Sequence, residues 1–295
     1  MCNIRVKTHQ LQRGGSNDRS LIVDTKSIHN KKHRGIAVFE GKSISNIQCF
    51  KVAGIMKLTK RVYLVGGSGY GLSPSGDCNV YVVDGGSEYA LIDTGGGYGI
   101  PAMINNMKKD GLNPKKITKT LITHCHYDHI GGNFDIKEET NTEILCHPND
   151  REAIETLNEL SLYDMAQESG LEFEAVPIDA TVDDGDIIKV GEVELETIHN
   201  PGHTPGCISF LMKDDGVKSL LCGDIASASG RLGFINGPGF VLEDWKKSIK
   251  KLMEYTPQRL YPGHGTFLMA DTMSHLMMYD QKMNAPWTTI ITAVG

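Results

Sequence analysis

Apolar and polar positions alternate in short segments through the part of the chain that follows Met56. Three of these segments are bounded by glycine and rich in β-branched and aromatic residues, as strands are; they span 61–67, 78–86 and 88–97. The tetrapeptide DGGS at 84–87 joins the last two segments and predicts a hairpin turn. The pattern therefore predicts an antiparallel opening.

Helical periodicity follows these strands. Pro101 suits the first turn of a helix over 101–112, and Gly111 lies near its end. Asn149 and Glu152 have the spacing of a capping box and predict the start of another helix. In VLEDWKKSIKKLMEY, one apolar stripe is formed by Leu242, Trp245, Ile249, Leu252 and Met253. Each of these helices has one face to bury.

Further strands are predicted over 116–124 and 142–148, in a strand-rich block over 173–222, and in RLYPGHG near the end. Each half of the body thus runs from strands to helices. This order predicts an α+β sandwich of two sheets with helices outside.

The first 55 residues differ from this body because they are polar and lack sustained periodicity. Residues 1–60 hold 12 Lys+Arg against 3 Asp+Glu. We expect residues 1–55 to be a basic extension that is poorly ordered or dispensable, with Met56 as an alternative start, and residues 56–295 to form one domain. A tail that binds anionic lipid or RNA is the alternative.

The composition of 295 residues, 40% hydrophobic and with a net charge of −6, is that of a globular enzyme. Beyond residue 60 the chain is acidic, which argues against a nucleic-acid partner and favours a small-molecule substrate. No run approaches the ~18 apolar residues that span a bilayer, so no membrane partner is expected. An oligomer is compatible with the sequence.

Seven cysteines are present without a CxxC pair, and four of them lie in apolar, strand-like runs: Cys78, Cys146, Cys207 and Cys222. Buried reduced thiols explain this distribution better than a disulfide framework. The sequence therefore predicts a cytoplasmic protein.

Candidate metal ligands are concentrated in LITHCHYDHIGG, residues 121–132, and in three later loops bounded by glycine or proline. The cluster supplies His124, His126, Asp128 and His129, and the loops supply His203, Asp224 and His264. Imidazole and carboxylate groups at the ends of strands are typical of catalytic metal sites. The HxH alternation directs His124 and His126 to one side, so Cys125 is interpreted as a structural thiol.

The remaining histidines match no such pattern and are predicted to lie outside the site: His9, His29, His33, His147, His199 and His275. Of these, His199 is the nearest to being a candidate ligand, since it precedes His203 by four residues, but it ends a predicted strand.

THCHYDHIGG, with IDTG upstream and single His, Asp and His residues downstream, resembles the metallo-β-lactamase superfamily over roughly Met56 to His264. The resemblance implies a four-layer αββα sandwich of two mixed β-sheets flanked by helices, with a dinuclear site at one edge. It implies that His124, His126 and His203 hold the first metal and that Asp128, His129 and His264 hold the second. Asp224 would bridge both metals, and Asp93 of IDTG would orient the metal loop.

The cofactor expected from this resemblance is two divalent metal ions, with zinc favoured and manganese or iron as alternatives. Such a pair delivers a bridging hydroxide to an electrophilic carbonyl, and Asp128 would steer that hydroxide or accept its proton. The expected enzyme is a metal-dependent hydrolase.

Differences between this chain and other members of the family indicate its substrate class. Familiar β-lactamases carry cysteine where this chain has Asp224, whereas CGD and PGHTPG resemble the glyoxalase II and lactonase branch. Lys282 is the sole base after His264, which argues against the glutathione-binding extension of glyoxalase II. We expect an ester, lactone or thioester. The late methionines, Met269 to Met283, would pack a helix on the core or, alternatively, line an apolar pocket.

Two alternatives stay open. A phosphodiesterase would use the same dinuclear site, and a persulfide dioxygenase-like enzyme would use related residues to hold a single iron. Flavin-linked oxygen reduction is less favoured, because its characteristic carboxylate in the Cys125/His126 region is missing. A purely structural role is less favoured because all seven candidate ligands are present.

Overall fold

The computed structural model of the chain describes residues 55–233 and 237–286, together with the backbone of two short strands. These strands, β1 (Leu21–Asp24) and β2 (Ile36–Phe39), pair antiparallel in a unit over Met1–Lys51. Most of the predicted N-terminal extension lies outside the described residues, so its dispensability stays a prediction.

The first sheet of the main unit has seven strands and follows the order of the chain. Its strands are β3 (Met56–Lys57), β4 (Val62–Gly66), β5 (Val80–Asp84), β6 (Tyr89–Ile92), β7 (Ile117–Leu121), β8 (Glu143–Cys146) and β9 (Ala180–Thr181). Pairing is antiparallel as far as β6 and parallel from there to β9. Asp84 pairs with Tyr89, which confirms the hairpin predicted from DGGS.

The second sheet has five strands, again in chain order. They are β10 (Ile187–Val190), β11 (Val193–His199), β12 (Ile208–Asp214), β13 (Val217–Gly223) and β14 (Arg259–Pro262). Only β13 and β14 pair in parallel. Since β11 and β13 are both antiparallel to β12, the C-terminal ends of β11, β13 and β14 meet at one edge.

Helices cover the outer faces of both sheets. They are α1 (Ile100–Lys109), α2 (Tyr127–Ile130), α3 (Asn133–Thr140), α4 (Pro148–Thr156), α5 (Tyr163–Glu168), α6 (Leu242–Glu254) and α7 (Thr272–Met283). None of them, within the described ranges, combines the length and apolarity that crossing a bilayer requires.

Four apolar clusters hold these layers together, and one of them packs Ile154 of α4 against Ile144 of β8. Leu64 and Tyr81 of the first sheet pack with Phe210 of the second, so the largest cluster lies between the sheets. α1 packs on the outer face of the first sheet, and α6 and α7 pack on that of the second. β4 is buried along its whole length because both faces of its sheet are covered. The predicted four-layer α+β sandwich is confirmed.

The start of α4 differs from its sequence prediction. His147, not Asn149, caps the helix, because its Nδ1 accepts a hydrogen bond from the Asn149 backbone N–H at 3.2 Å. Pro148 takes the first helical position, where its fixed φ suits the helix and its missing N–H is not needed. The predicted capping box at Asn149 and Glu152 is therefore wrong.

Candidate metal centre

The candidate ligands lie where strands of both sheets end at the same edge of the sandwich. His124 and His126 follow β7 of the first sheet, and the one-turn helix α2 carries Asp128 and His129. His203, Asp224 and His264 follow β11, β13 and β14 of the second sheet. The structure thus brings together all seven residues singled out in the sequence.

His124, His126 and His203 form one group, which we call the inner triad. Their ring centroids lie 4.5 to 4.8 Å apart, and all three side chains are buried. Burial lowers the pKa of all three, that of His126 to about 3. The rings are therefore neutral at physiological pH and offer lone pairs.

Asp128, His129 and His264 form a second group, the outer triad. His264 Nε2 lies 2.9 Å from Asp128 Oδ2 and 3.3 Å from His129 Nε2. His129 is fully buried, whereas the side chain of His264 is 47% exposed. The outer triad therefore opens to solvent on the side of His264.

Asp224 lies between the two triads. Its Oδ1 is 3.4 Å from His129 Nε2, and its Oδ2 is 3.4 Å from His264 Nε2 and 3.8 Å from His203 Nε2. Burial raises the pKa of this carboxyl, but His264 and His129 outweigh burial and hold the pKa well below its usual value. Asp224 is therefore an anion within reach of both groups.

This convergence requires a glycine at position 263. A Cβ there would lie 2.3 Å from Asp224 Oδ1 and 2.6 Å from His129 Cε1, distances that real side chains do not adopt. The absence of a side chain lets the loop after β14 pass directly beside Asp224 and deliver His264.

Asp93 orients two of the histidines, as the resemblance implied. Its Oδ2 accepts from His129 Nδ1 at 2.8 Å and from the Thr123 hydroxyl at 2.9 Å, and its Oδ1 accepts from the Thr123 backbone N–H. Because the hydroxyl proton of Thr123 is given to Asp93, its oxygen accepts from His124 Nδ1 at 3.1 Å. Both rings therefore carry their proton on Nδ1 and present Nε2 to the centre.

Cys78 also lies close to Asp93 and His129. Burial raises the pKa of its thiol to about 12, and Asp93 is committed to three hydrogen bonds. These two residues therefore do not complete a further ligand set. Cys125 is buried with its Sγ directed to the Leu160 carbonyl, which fits the predicted structural thiol. The five cysteines of the described ranges are all free and buried.

Three of the six histidines that were predicted to lie outside the site fall within the described residues, and all three lie outside the two triads. His147 and His199 stack on each other with ring centroids 3.9 Å apart. His275 Nδ1 accepts from the Ser229 backbone N–H at 2.7 Å. His9, His29 and His33 lie outside the described residues.

Several residues that support the centre were missed in the sequence. Asn79 donates to the carbonyls of Pro262 and Gly265, on either side of His264. Trp245 donates from Nε1 to the Ile225 carbonyl and places its ring 5.3 Å from that of His203. Trp245 was visible only as a member of an apolar stripe. Asp150, in α4 and hydrogen-bonded to the His203 loop, carried no signal because its partners are distant in sequence.

Comparisons with known proteins agree with this geometry. A family model described as the metallo-beta-lactamase superfamily matches residues 74–264. A probable metallo-hydrolase, YqgX, of Bacillus subtilis (strain 168) is 30% identical over 191 residues, which are 63% of this chain and 84% of the relative.

A hydroxyacylglutathione hydrolase of Rhodospirillum rubrum is 32% identical over 149 residues, 50% of this chain; the match spans only 48% of that relative. Among solved structures, the native FEZ-1 metallo-beta-lactamase from Legionella gormanii has a TM-score of 0.64 at 20% identity and covers 82% of this chain and 97% of its own. This structural likeness shows a shared fold.

Proposed function

The chain belongs to the metallo-beta-lactamase superfamily of metal-dependent hydrolases, and on that premise we propose that it binds two divalent cations and cleaves a carbonyl ester, lactone or thioester. Zinc is the favoured cation, with manganese or iron as alternatives. The observation that carries the proposal is the arrangement of two triads that share Asp224 between them.

The donor atoms present fit such cations. His124 Nε2, both ring nitrogens of His203 and Asp224 Oδ1 are buried and have no hydrogen-bond partner within residues 55–233 and 237–286. Leaving a buried polar atom unpaired costs about 1–3 kcal/mol. Four such atoms close together therefore indicate that they bind a ligand. Imidazole nitrogens and carboxylate oxygens are the donors that zinc, manganese and iron accept.

In this proposal each triad holds one cation. His124, His126 and His203 would hold the inner one, Asp128, His129 and His264 the outer one, and Asp224 would contact both. Cations held in this way lower the pKa of bound water toward neutrality and polarise the carbonyl oxygen of a substrate.

Asp128 is the catalytic residue of the proposal. Burial alone would raise its pKa, but His129 and the hydrogen bond from His264 outweigh burial and keep the carboxyl ionised. An ionised carboxylate beside the outer cation can orient the attacking water and accept its proton. The chain's own thiols are poor nucleophiles here, since burial raises the pKa of Cys125 and Cys78.

A carbonyl substrate is favoured over a phosphodiester by charge. Beyond residue 60 the chain carries 18 Lys+Arg against 33 Asp+Glu, which repels a polyanionic substrate. By its name, the Rhodospirillum rubrum relative hydrolyses an acylated glutathione, which is a thioester. We therefore propose a small-molecule substrate and no nucleic-acid partner; the cytoplasmic location and the oligomeric state stay predictions.

Three of the late methionines lie away from the candidate ligands. Met269 and Met273 line a groove of about 310 Å³ beside Val217 and Arg259, where β13 and β14 begin. Asp224 and His264 follow the other ends of these strands. Met283, the last residue of α7, is buried in the core, which agrees with the helix-packing interpretation.

The test measures cations per chain in protein purified without added metal, together with hydrolysis of an ester, a lactone, a thioester and a phosphodiester. The proposal expects about two zinc or manganese ions and carbonyl cleavage that a chelator abolishes and added zinc restores. One iron per chain with no turnover of the panel would replace it with the dioxygenase alternative. Preference for the phosphodiester would replace the proposal with the phosphodiesterase alternative.

A further inference from the structure

His203 differs from the other buried histidines of the centre in how it is held. The Nδ1 of His124 and that of His129 each have a hydrogen-bond partner, Thr123 and Asp93 respectively. Neither ring nitrogen of His203 has one among the residues that the structure describes. Metal-binding histidines usually rely on such a bond for their orientation, so the orientation of His203 depends on the position of its backbone and on its contact with the Trp245 ring.

A buried carboxylate holds the loop that carries His203, together with the hydrogen bonds from the Val241 N–H to the Gly202 carbonyl and from the Ser248 hydroxyl to the Pro201 carbonyl. Asp150 Oδ2 accepts from the Thr204 hydroxyl at 2.6 Å, and Asp150 Oδ1 accepts from the Gly206 backbone N–H at 2.6 Å. These two donors lie one and three residues after His203. Asp150 is fully buried, so both hydrogen bonds are shielded from water.

The same carboxylate also holds the other part of the inner triad. Asp150 Oδ2 accepts from the backbone N–H of Cys125 at 2.9 Å, and Cys125 lies between His124 and His126. The three partners come from segments that follow β7 and β11, which belong to different sheets. Asp150, in the first turn of α4, is therefore a direct connection between the two loops that carry the inner triad.

The Asp150 carboxylate contacts the backbone of Gly206 so closely that no other residue fits at position 206. A Cβ at position 206 would lie 2.5 Å from Asp150 Oδ1, so the loop reaches the carboxylate only because this residue is glycine. All three partners donate, and only a carboxylate can accept from all of them without offering a proton of its own.

We propose that Asp150 is a positioning residue that sets the spacing of His203 relative to His124 and His126, and thereby the affinity of the inner triad for its cation. The inference rests on the proposed function, because it assumes that the inner triad binds a cation. Asp150 itself contacts neither cation nor substrate.

The test compares Asp150→Asn and Thr204→Val with the unaltered protein in zinc and cobalt binding, measured by competition with a chromophoric chelator. Asn keeps the volume but presents an N–H₂ group to at least one donor, and Val keeps the shape of Thr204 without its hydroxyl. We expect the inner cation to bind about 10- to 100-fold more weakly in Asp150→Asn and less weakly in Thr204→Val. The absorption spectrum of bound cobalt should change in the same variants, since it reports ligand geometry.

Two controls separate positioning from general damage. Asp214 is an equally buried carboxylate that accepts from Arg259 at the far end of β12, so Asp214→Asn should lower thermal stability without changing cobalt affinity or spectrum. Thr204→Ser retains the hydroxyl and should recover most of the affinity lost in Thr204→Val.

Unchanged cation affinity and cobalt spectrum in Thr204→Val and Asp150→Asn would overturn the inference. Should Asp150→Asn not fold, the pair Thr204→Val and Thr204→Ser still decides it. Failure of the proposed function looks different, because the unaltered protein would then bind no cation at the inner triad.

Discussion

The inner and outer triads are built from similar residues in opposite electrostatic settings. His124, His126 and His203 are buried among one another, and burial lowers the pKa of each. In the outer triad, Asp224 is the largest cause that raises the pKa of His264, and burial of His129 is outweighed by Cys78 and the carboxylates around it. Neutral imidazoles thus make up the inner triad, whereas the histidines of the outer triad are paired with carboxylates.

The two triads therefore differ in how readily each would bind a cation. The inner triad has unpaired donor atoms that are already arranged, so a cation there needs little rearrangement. In the outer triad a cation must displace the contacts of His264 with Asp128 and Asp224. His264 is also the exposed member, so the centre is open to solvent on the side of the outer triad. Three predictions test this contrast.

Asp224→Ala should remove the contrast altogether, because its carboxylate lies within reach of both triads. We expect both cations to bind more weakly and kcat/KM to fall about 10³-fold, which corresponds to about 4 kcal/mol. Metal analysis after dialysis and steady-state kinetics with the substrate identified by the panel would measure this. Two tightly held cations in the variant would contradict a shared role for Asp224.

His264→Ala should separate the triads. We expect the protein to keep one cation, in the inner triad, and to lose about 10²-fold in kcat/KM, or about 3 kcal/mol. Cations per chain and kinetics check this outcome. His275→Ala is the matched control, since His275 is bonded to the Ser229 backbone away from the centre and its loss should leave the cation count at two. A cation count of zero in His264→Ala would show that the triads do not bind independently.

Acid should weaken the outer triad before the inner one. The pKa of His264 is raised, so a proton competes with the outer cation, and the outer affinity should fall about tenfold for each pH unit below that raised pKa. The pKa of His126 is about 3, so no proton competes there at neutral pH and the inner affinity should stay nearly constant down to about pH 5. Calorimetric titration with zinc between about pH 5 and pH 8 measures both steps. Parallel loss of the two cations would contradict the contrast.

The pattern of the chain was sufficient for the architecture. The DGGS turn, the apolar stripe of α6 and the alternation of strands with helices depend on contacts between residues close in sequence, and these were predicted correctly. The start of α4 was not, because a capping box and a His-Pro start compete locally and the fixed φ of Pro148 decided the outcome.

The candidate ligands could likewise be named from sequence, because HxHxDH and glycine-bounded His and Asp residues are local signals. What the sequence could not supply was the difference between the triads. Burial of His203 and exposure of His264 depend on how two sheets pack, and both residues lie in similar glycine- and proline-rich loops.

Periodicity and short motifs are properties of neighbouring positions, so the sequence alone predicted the type of fold and the residues that converge at the candidate centre. The contacts that hold those residues in place follow from the tertiary structure. Asp150 meets Cys125, Thr204 and Gly206 across 25 to 56 positions of the chain, and Asn79 meets Pro262 across 183. Such contacts follow from the packing of the two sheets, and no local pattern records them.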